Sequence, residues 1–307
     1  MNGALRKAAG ALVAAVGAVI LVSVFLDLIP GDPVDAILGE QARETDRESL
    51  RAALHLDEPL VLRLWYFARD AATLELRSSV PPFQDRVFDR IAQALPNTLL
   101  LALASLAIAI SIALPLGILG AQRPGGRIDA LASGFAVLGV AVPRIWLGPL
   151  LILVFAIRLD WLPVSGLERP SGIVLPAITL GTALAAFLAR MVRASVLDAI
   201  GEDYVRTARA KGLPGHVVLL KHALRNALLP VLTVLGLQLG ALLGGAVVTE
   251  KVFNFPGMGS LLLQAIDRRD YHMVRACVLT FTLAYVVVNL LTDLAYAAAD
   301  PRVRSRR

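Results

Sequence analysis

Side chains that could act as nucleophiles, bases or metal ligands are sparse in this 307-residue chain, and their spacing matches no common catalytic motif. None of the four lysines precedes serine or threonine, so the sequence lacks the GxxxxGK[ST] loop that cradles nucleotide phosphates. The four histidines form no HExxH motif, and no Gly-x-Ser-x-Gly elbow is present. The sequence therefore predicts a chain that is not an enzyme and has no catalytic residue, metal site or cofactor of its own.

Ionisable groups inside apolar segments could support another chemistry, the coupling of transport to an ion gradient. Asp27 lies at the end of the first apolar run, Asp293 lies toward the end of the last, and Arg144 is the only deep charge. Because these groups are too few for a proton relay, an ion-coupled secondary transporter is the weaker alternative.

The composition places the chain in a membrane. It is 57% hydrophobic and only 18% charged, whereas soluble domains are about half apolar and a quarter charged. The net charge of +6 comes from basic residues beside apolar runs and not from a separate basic domain, which argues against nucleic acid as a partner. The single cysteine, Cys277, permits no internal disulfide.

Six apolar segments are near the length of roughly 20 residues that crosses a bilayer as a helix. They predict an all-α integral membrane protein with spans at 8–26, 97–120, 130–157, 173–189, 228–248 and 276–296. The first is read as an uncleaved anchor, since no small-x-small cleavage site follows it. The third contains Pro143, which predicts one long helix kinked at that residue.

The distribution of basic residues predicts the orientation. Lysine and arginine number 15 in four places together: the N-terminus, the second-to-third and fourth-to-fifth connections, and the C-terminus. Since positive charge favours the cytoplasmic side, both termini are predicted in the cytoplasm. The chain then divides into an anchor at 1–30, an extracytoplasmic segment at 31–95 and a five-helix core at 96–307.

The extracytoplasmic segment carries 12 acidic residues against 8 arginines. Thr45-Asp46-Arg47-Glu48 predicts a capping box that begins a short helix. A second, amphipathic helix is predicted from Pro59 to Leu76, with one apolar face formed by Leu60, Leu64, Phe67 and Ala71.

The connection from Arg190 to Pro230 has seven basic residues against three acids. A short helix is predicted from Asp203 to Lys211, because Tyr204, Ala208 and Lys211 are spaced i, i+4 and i+7 and a Gly-Leu-Pro-Gly stop follows at 212–215. A helix tethered to a span at each end can pass a partner's movement to the membrane helices. A basic linker resting on anionic lipid is the alternative.

Three glycines, Gly236, Gly240 and Gly244, recur every four residues in the fifth span and form a face almost without side chains. We expect this face to pack against another helix of the same subunit. Gln238 and Thr249 are the main polar groups nearby, and direct contact with a substrate is the alternative.

The connection between the fourth and fifth spans resembles the cytoplasmic loop of permease subunits of ATP-binding-cassette importers. The general loop pattern is Glu-Ala-Ala, a glycine four residues later, and then Ile-x-Leu-Pro. Arg206-Thr207-Ala208, Gly212 and His222-Ala223-Leu224-Arg225 occupy these positions, so only Ala208, Gly212 and Leu224 match. Segments 203–213 and 221–227, however, look almost residue for residue like the peptide and nickel permease branch.

The resemblance implies a type I importer-permease fold with six transmembrane helices and a cytoplasmic coupling helix in the loop 190–227. It implies a bacterial inner membrane, a second homologous permease subunit, two ATPase subunits that bind ATP and Mg²⁺, and an extracytoplasmic substrate-binding protein. The implied cargo is a dipeptide or oligopeptide, with nickel or glutathione as alternatives. The implied ATPase-coupling residues are Asp203, Tyr204, Arg206, Thr207, Ala208, Arg209 and Gly212.

Overall fold

The computed structural model describes residues 3–28, 32–39, 42–80 and 85–299. The predicted cytoplasmic tail at 300–307 lies outside the described residues, as do Gly31 and residues 81–84 of the predicted outer segment. The α-helices of the described residues, in chain order, are α1 (Gly3–Leu28), α2 (Pro33–Leu38), α3 (Glu44–Ala53), α4 (Leu60–Ala72), α5 (Val87–Gln122), α6 (Arg127–Ala141), α7 (Arg144–Leu151), α8 (Val174–Gly201), α9 (Asp203–Ala210), α10 (Gly215–Val217), α11 (Leu224–Val252), α12 (Met258–Asp267) and α13 (Tyr271–Ala299). Two π-helical segments, Ile152–Arg158 and Val218–Ala223, and a 3₁₀ turn at Pro170–Ile173 complete the helical elements of this part of the chain.

The helical prediction is confirmed within the described residues, where the only strand-like pairing is an isolated bridge between Arg77 and Arg86. Five stretches of those residues are long and apolar enough to cross a membrane: Ala9–Leu28, Val87–Gln122, Pro170–Gly201, Gly215–Gly244 and Tyr271–Tyr296. Large apolar side chains are exposed along them, as helices surrounded by lipid require.

The predicted kink at Pro143 is wrong, because the third span is broken there. Helix α6 ends at Ala141, and the extended residues Val142 and Pro143 separate it from α7. Proline has no N–H and disfavours the helical region for the residue before it, so the first helix stops and a second begins. The 15 residues of α6 measure about 22 Å, which is short of the roughly 30 Å hydrocarbon layer.

Several predicted boundaries also change. Helix α8 continues to Gly201, well beyond the predicted end at residue 189, so much of the predicted loop is helical. The capping box is wrong: α3 begins at Glu44, and Arg43 is its N-cap without a side-chain hydrogen bond. Helix α12 was not predicted.

Contacts divide the chain into a first unit, Met1–Thr98 with Pro256–Val286, and a second unit, Leu99–Phe255 with Val287–Arg307. In the first unit the predicted face of α4 packs into the core through Leu64, Phe67 and Ala71. Phe67 is the most deeply buried of these, at 4% exposed.

Helix α8 is the centre of the second unit, where it packs against α6, α7, α9 and α11. Part of α5 also approaches it closely. A Cβ added at Gly117 of α5 would lie 2.7 Å from the Val192 side chain, and one added at Gly181 of α8 would lie 2.8 Å from the Ser105 carbonyl oxygen. Glycine at these crossings lets the backbones meet as in other tightly packed membrane helices.

Candidate functional site

The predicted loop helix is present as α9, and Gly212 ends it. Gly212 has a φ of 76°, in the left-handed region that favours glycine. Its N–H donates to the Arg209 carbonyl at 2.9 Å, and the Leu213 N–H donates to the Ala208 carbonyl at 3.4 Å, which are the paired bonds of a Schellman cap. A Cβ at Gly212 would meet no atom within 4 Å. Backbone conformation, rather than space, therefore requires glycine here.

Helix α9 buries one face in its own chain and leaves the other open. Val205 is 0% exposed and Ala208 is 5% exposed. The small side chain of Ala208, which was predicted to share a face with Tyr204, therefore serves packing within this chain. Tyr204 itself is 38% exposed. The open face consists of Asp203, Tyr204, Arg206, Thr207 and Arg209.

The charges on this open face are not committed to strong internal bonds. Arg206 Nη1 lies 3.3 Å from Asp203 Oδ1, and both side chains are largely exposed. Exposed ion pairs of this kind contribute little, typically under about 1 kcal/mol. The open face of α9 is therefore polar, mixed in charge and available to a partner.

The buried face of α9 packs into an apolar cluster to which the membrane helices α8 and α11 both contribute. Val205 and Ala208 share this cluster with buried side chains of α5, α8, the π-helical segment Val218–Ala223 and α11, namely Ala121, Val192, Val196, Ala199, Val218, Ala223, Ala227 and Val231. Since packed interiors transmit displacement with little compression, movement of α9 would reach both α8 and α11.

An ion pair that sequence reasoning missed ties α6 to α8 in the second unit. The Arg193 guanidinium donates to both carboxylate oxygens of Asp129, and its Nη2 lies 2.8 Å from Oδ2. The Gly125 N–H also donates to Oδ2 at 2.8 Å. These hydrogen bonds, first that from Arg193 and then that from Gly125, lower the pKa of Asp129 to about 2. Sequence counting treated Arg193 as one of several cytoplasmic charges, because its partner lies 64 residues earlier.

The predicted glycine face of α11 divides into three different environments. A Cβ added at Gly236 would overlap the Thr292 side chain of α13, within the second unit. Gly240 is buried. A Cβ at Gly244 would meet no atom within 4 Å. Close packing within this chain is therefore observed at Gly236 and is not observed at Gly244.

The first unit holds its polar outer segment through one buried carboxylate. Asp270, which is 5% exposed, accepts hydrogen bonds from the Ser78 hydroxyl, the Ser79 N–H at 2.9 Å and the Met273 N–H at 3.1 Å. The last of these bonds caps the start of α13. The Ser79 hydroxyl in turn accepts from the His272 N–H at 3.2 Å. Residues some 190 positions apart in sequence are joined in this way.

The described residues contain no group of three or more His, Cys, Asp and Glu side chains placed to hold a metal ion. The geometry instead presents an open polar helix face, a tight packing surface and two internally bonded carboxylates. This arrangement can bind a macromolecular partner and transmit movement.

Comparison with known families identifies the core of the chain. The family described as binding-protein-dependent transport system inner membrane component matches residues 113–305. The match includes α8, α9 and α11.

Two curated relatives match nearly the whole length. The glutathione transport system permease protein GsiC of Escherichia coli O6:H1 is 42% identical over 285 residues, 93% of each chain. GsiC of Pectobacterium atrosepticum is 40% identical over 304 residues, 99% of each chain. The similarity to the second relative, over 99% of each chain, includes the outer segment that precedes the family match.

Solved structures share the fold. The inward-facing MetNI methionine ABC transporter aligns with a TM-score of 0.58 at 19% identity, covering 69% of this chain and 96% of that chain. An amino acid ABC transporter solved with histidines aligns with a TM-score of 0.53 at 16% identity, covering 70% of this chain and 94% of that one. The predicted importer-permease fold is thereby confirmed.

Proposed function

The chain belongs to the family of inner membrane components of binding-protein-dependent transport systems, and on this premise we propose that it forms part of a pore that imports glutathione or other short peptides. The observation that carries the cargo assignment is the 42% identity to a glutathione permease across 93% of both chains. Nickel, the other cargo of the permease branch that the loop resembles, is the competing candidate.

The open face of α9 is proposed to dock on a cytoplasmic ATPase subunit, and each of two ATPase subunits would accept one such helix. ATP and Mg²⁺ would be bound by those subunits. Arg206 and Arg209 would pair with acidic side chains there, and Tyr204 would enter a pocket as an aromatic anchor, the kind of residue that often dominates an interface. The weak Asp203–Arg206 pair is easily exchanged for partner contacts.

The proposed coupling of ATP hydrolysis to transport uses both faces of α9. ATP-driven closure of the ATPases would move α9, and its buried face would move α8 and α11 through the cluster around Val205 and Ala208. A second, homologous permease would complete the pore. An extracytoplasmic binding protein would deliver cargo to the side that carries the segment 31–95.

Labelling of single cysteines tests this orientation. Glu48 in α3 and His216 in α10 are both exposed, and the native thiol is removed as Cys277→Ala. A membrane-impermeant maleimide added to intact spheroplasts should label Glu48→Cys and should not label His216→Cys until the membrane is opened. The reverse pattern would place α9 on the side away from ATP and overturn the docking proposal.

Uptake by the complete transporter tests the function. The permeases, ATPases and binding protein are produced together in a strain without its own peptide importers, and uptake of radiolabelled glutathione, a dipeptide and ⁶³Ni²⁺ is compared. We expect ATP-dependent uptake of glutathione or the dipeptide. Uptake of nickel alone would replace the cargo assignment, and loss of uptake in a variant without the ATPases must accompany either result.

A further inference from the structure

The break in the third span opens a cavity of about 400 Å³ within the second unit. This volume is in the range of small-molecule sites. Three helical elements contribute its walls, with Gly139, Val142 and Pro143 at the break, Ala183, Leu184 and Phe187 from α8, and Gln238, Ala241 and Leu242 from α11. Gln238 supplies the only polar side chain among these residues.

The positions of its lining residues along three helical segments place this cavity near mid-depth in the membrane. Gln238 is the central residue of α11, which runs from Leu224 to Val252. The break at 142–143 is central to the interrupted third span, which is predicted at 130–157. Ala183 lies near the middle of 174–189, the apolar part of α8. Polar groups at this depth are costly in lipid and commonly mark a transport path.

The break also leaves backbone groups without helical partners. The Val142 N–H donates to the Leu138 carbonyl at 2.9 Å, but the next carbonyl, that of Gly139, would pair with residue 143, which is a proline without an N–H. The last carbonyls of any helix lack internal donors. Within the hydrocarbon layer such groups persist only where protein or a polar cavity covers them.

The side-chain amide of Gln238 is likewise able to hydrogen-bond a ligand. It forms no hydrogen bond with another described residue, although its side chain is half-buried. A primary amide offers both a donor and an acceptor. Carbonyl acceptors at the break and this amide on α11 together match a peptide group, which has one N–H and one C=O.

We propose that this cavity is a cargo-binding site in the membrane interior, in which Gln238 and the free carbonyls at the α6–α7 break bind the peptide group of the cargo. The proposal rests on the proposed importer function and specifies its recognition chemistry. The surrounding walls are apolar, so they would accept varied cargo side chains, while recognition would fall on the backbone. A lipid chain would leave all of these polar groups unpaired, which favours a peptide occupant.

The first test compares a dipeptide with an analogue in which a trans alkene replaces the peptide group and so removes both its N–H and its C=O, in uptake by the complete transporter with one binding protein. For each protein, the preference is the ratio of uptake of the parent peptide to uptake of its analogue. Wild type and Gln238→Leu use the same binding protein, so the selectivity of the binding protein cancels when one ratio is divided by the other. We expect Gln238→Leu to reduce the preference for the parent peptide by about three- to tenfold, the effect of one lost hydrogen bond. The matched control is Thr233→Val, because the exposed Thr233 hydroxyl bonds only the Leu229 carbonyl of its own helix, at 3.4 Å.

The second test does not depend on the folding of the Gln238 variant. With Cys277→Ala as background, Ala183→Cys places a thiol in the cavity wall and Thr233→Cys places one outside it. Saturating dipeptide should slow maleimide labelling at position 183 and leave position 233 unchanged.

Each outcome has a distinct meaning. The proposed site is wrong if Gln238→Leu leaves the preference unchanged, or if dipeptide does not change the rate of labelling at position 183. Permanent protection at 183 without cargo also overturns it, because lipid or a partner helix then fills the cavity. If the wild type takes up no peptide at all, the proposed function itself fails and this inference fails with it.

Discussion

The two units secure their polar segments in opposite ways. In the first unit, the segment around Ser78 and Ser79 is held by hydrogen bonds to the buried Asp270 carboxylate. In the second unit, α9 is held by the apolar side chains of Val205 and Ala208, and its charged side chains remain in the open. Polar groups that are paired internally specify structure, whereas polar groups left open beside an apolar attachment are free to bind a partner.

The largest expected effect concerns the first unit, where the buried Asp270 carboxylate holds the polar segment. Asp270→Ala removes the acceptor for three hydrogen bonds in a buried site, which should destabilise the first unit by on the order of 3 kcal/mol. Thermal unfolding in detergent measures this. Asp270→Asn, which keeps one oxygen acceptor, is the matched variant and should lose less; equal losses would show that the network does not hold the segment.

Packing inside the second unit should give the next largest effect. Gly236→Ala adds a methyl group that overlaps Thr292, whereas Gly244→Ala adds one in open space. Overpacking of this kind costs about 1 to 3 kcal/mol, so we expect the melting temperature to fall for Gly236→Ala only. If Gly244→Ala is the more damaging variant, the glycine face packs against a different subunit.

The end of α9 offers a smaller and more local effect. Gly212→Val forces a β-branched residue into the left-handed region at a cost of roughly 1–2 kcal/mol, which should unwind the cap and reduce transport and ATPase co-purification. Asn tolerates this conformation, so Gly212→Asn is the control and should retain most activity. Normal uptake by a well-expressed Gly212→Val variant would remove the cap from the coupling mechanism.

The Asp129–Arg193 pair should add stability that depends on pH. The carboxyl has a pKa of about 2 in the folded chain and about 3.9 when unfolded, so the contribution is fully present above about pH 4 and is lost as the pH falls through about 2. A melting curve recorded from pH 7 to 2 should show this loss for the wild type. Asp129→Asn should lack this component, and an identical pH profile for the two proteins would contradict the pairing.

The smallest expected change in stability tests the second half of the comparison. Arg206→Ala and Arg209→Ala alter exposed side chains, so stability should change by less than about 0.5 kcal/mol. Co-purification of the ATPase subunits should nevertheless fall. The control is His216→Ala, because His216 is also exposed and lies in α10, which follows α9. A large loss of stability in either arginine variant would mean that the open face of α9 is structural.

Local patterns predicted much of this architecture correctly. Hydropathy located five of the six predicted spans, and the spacing of Leu64, Phe67 and Ala71 identified the buried face of α4. The glycine signal located the end of α9 within one residue. These features depend on neighbours within a few turns, so they are written in short stretches of sequence. The predicted capping box at 45–48 is wrong because it is a weak local signal, and the helix can begin at a neighbouring residue instead, here at Glu44.

The sequence by itself determined the fold class, the approximate spans and the position of α9, because burial in lipid and helix termination act on contiguous residues. Only the tertiary structure decided that Ala208 faces inward, that Asp129 binds Arg193 and that Asp270 binds Ser78. It also decided that Pro143 breaks its span and that Gln238 of a distant helix lies at the same cavity. Pairings across 64 or 192 residues depend on which helices pack together, and no periodicity along the chain records that choice.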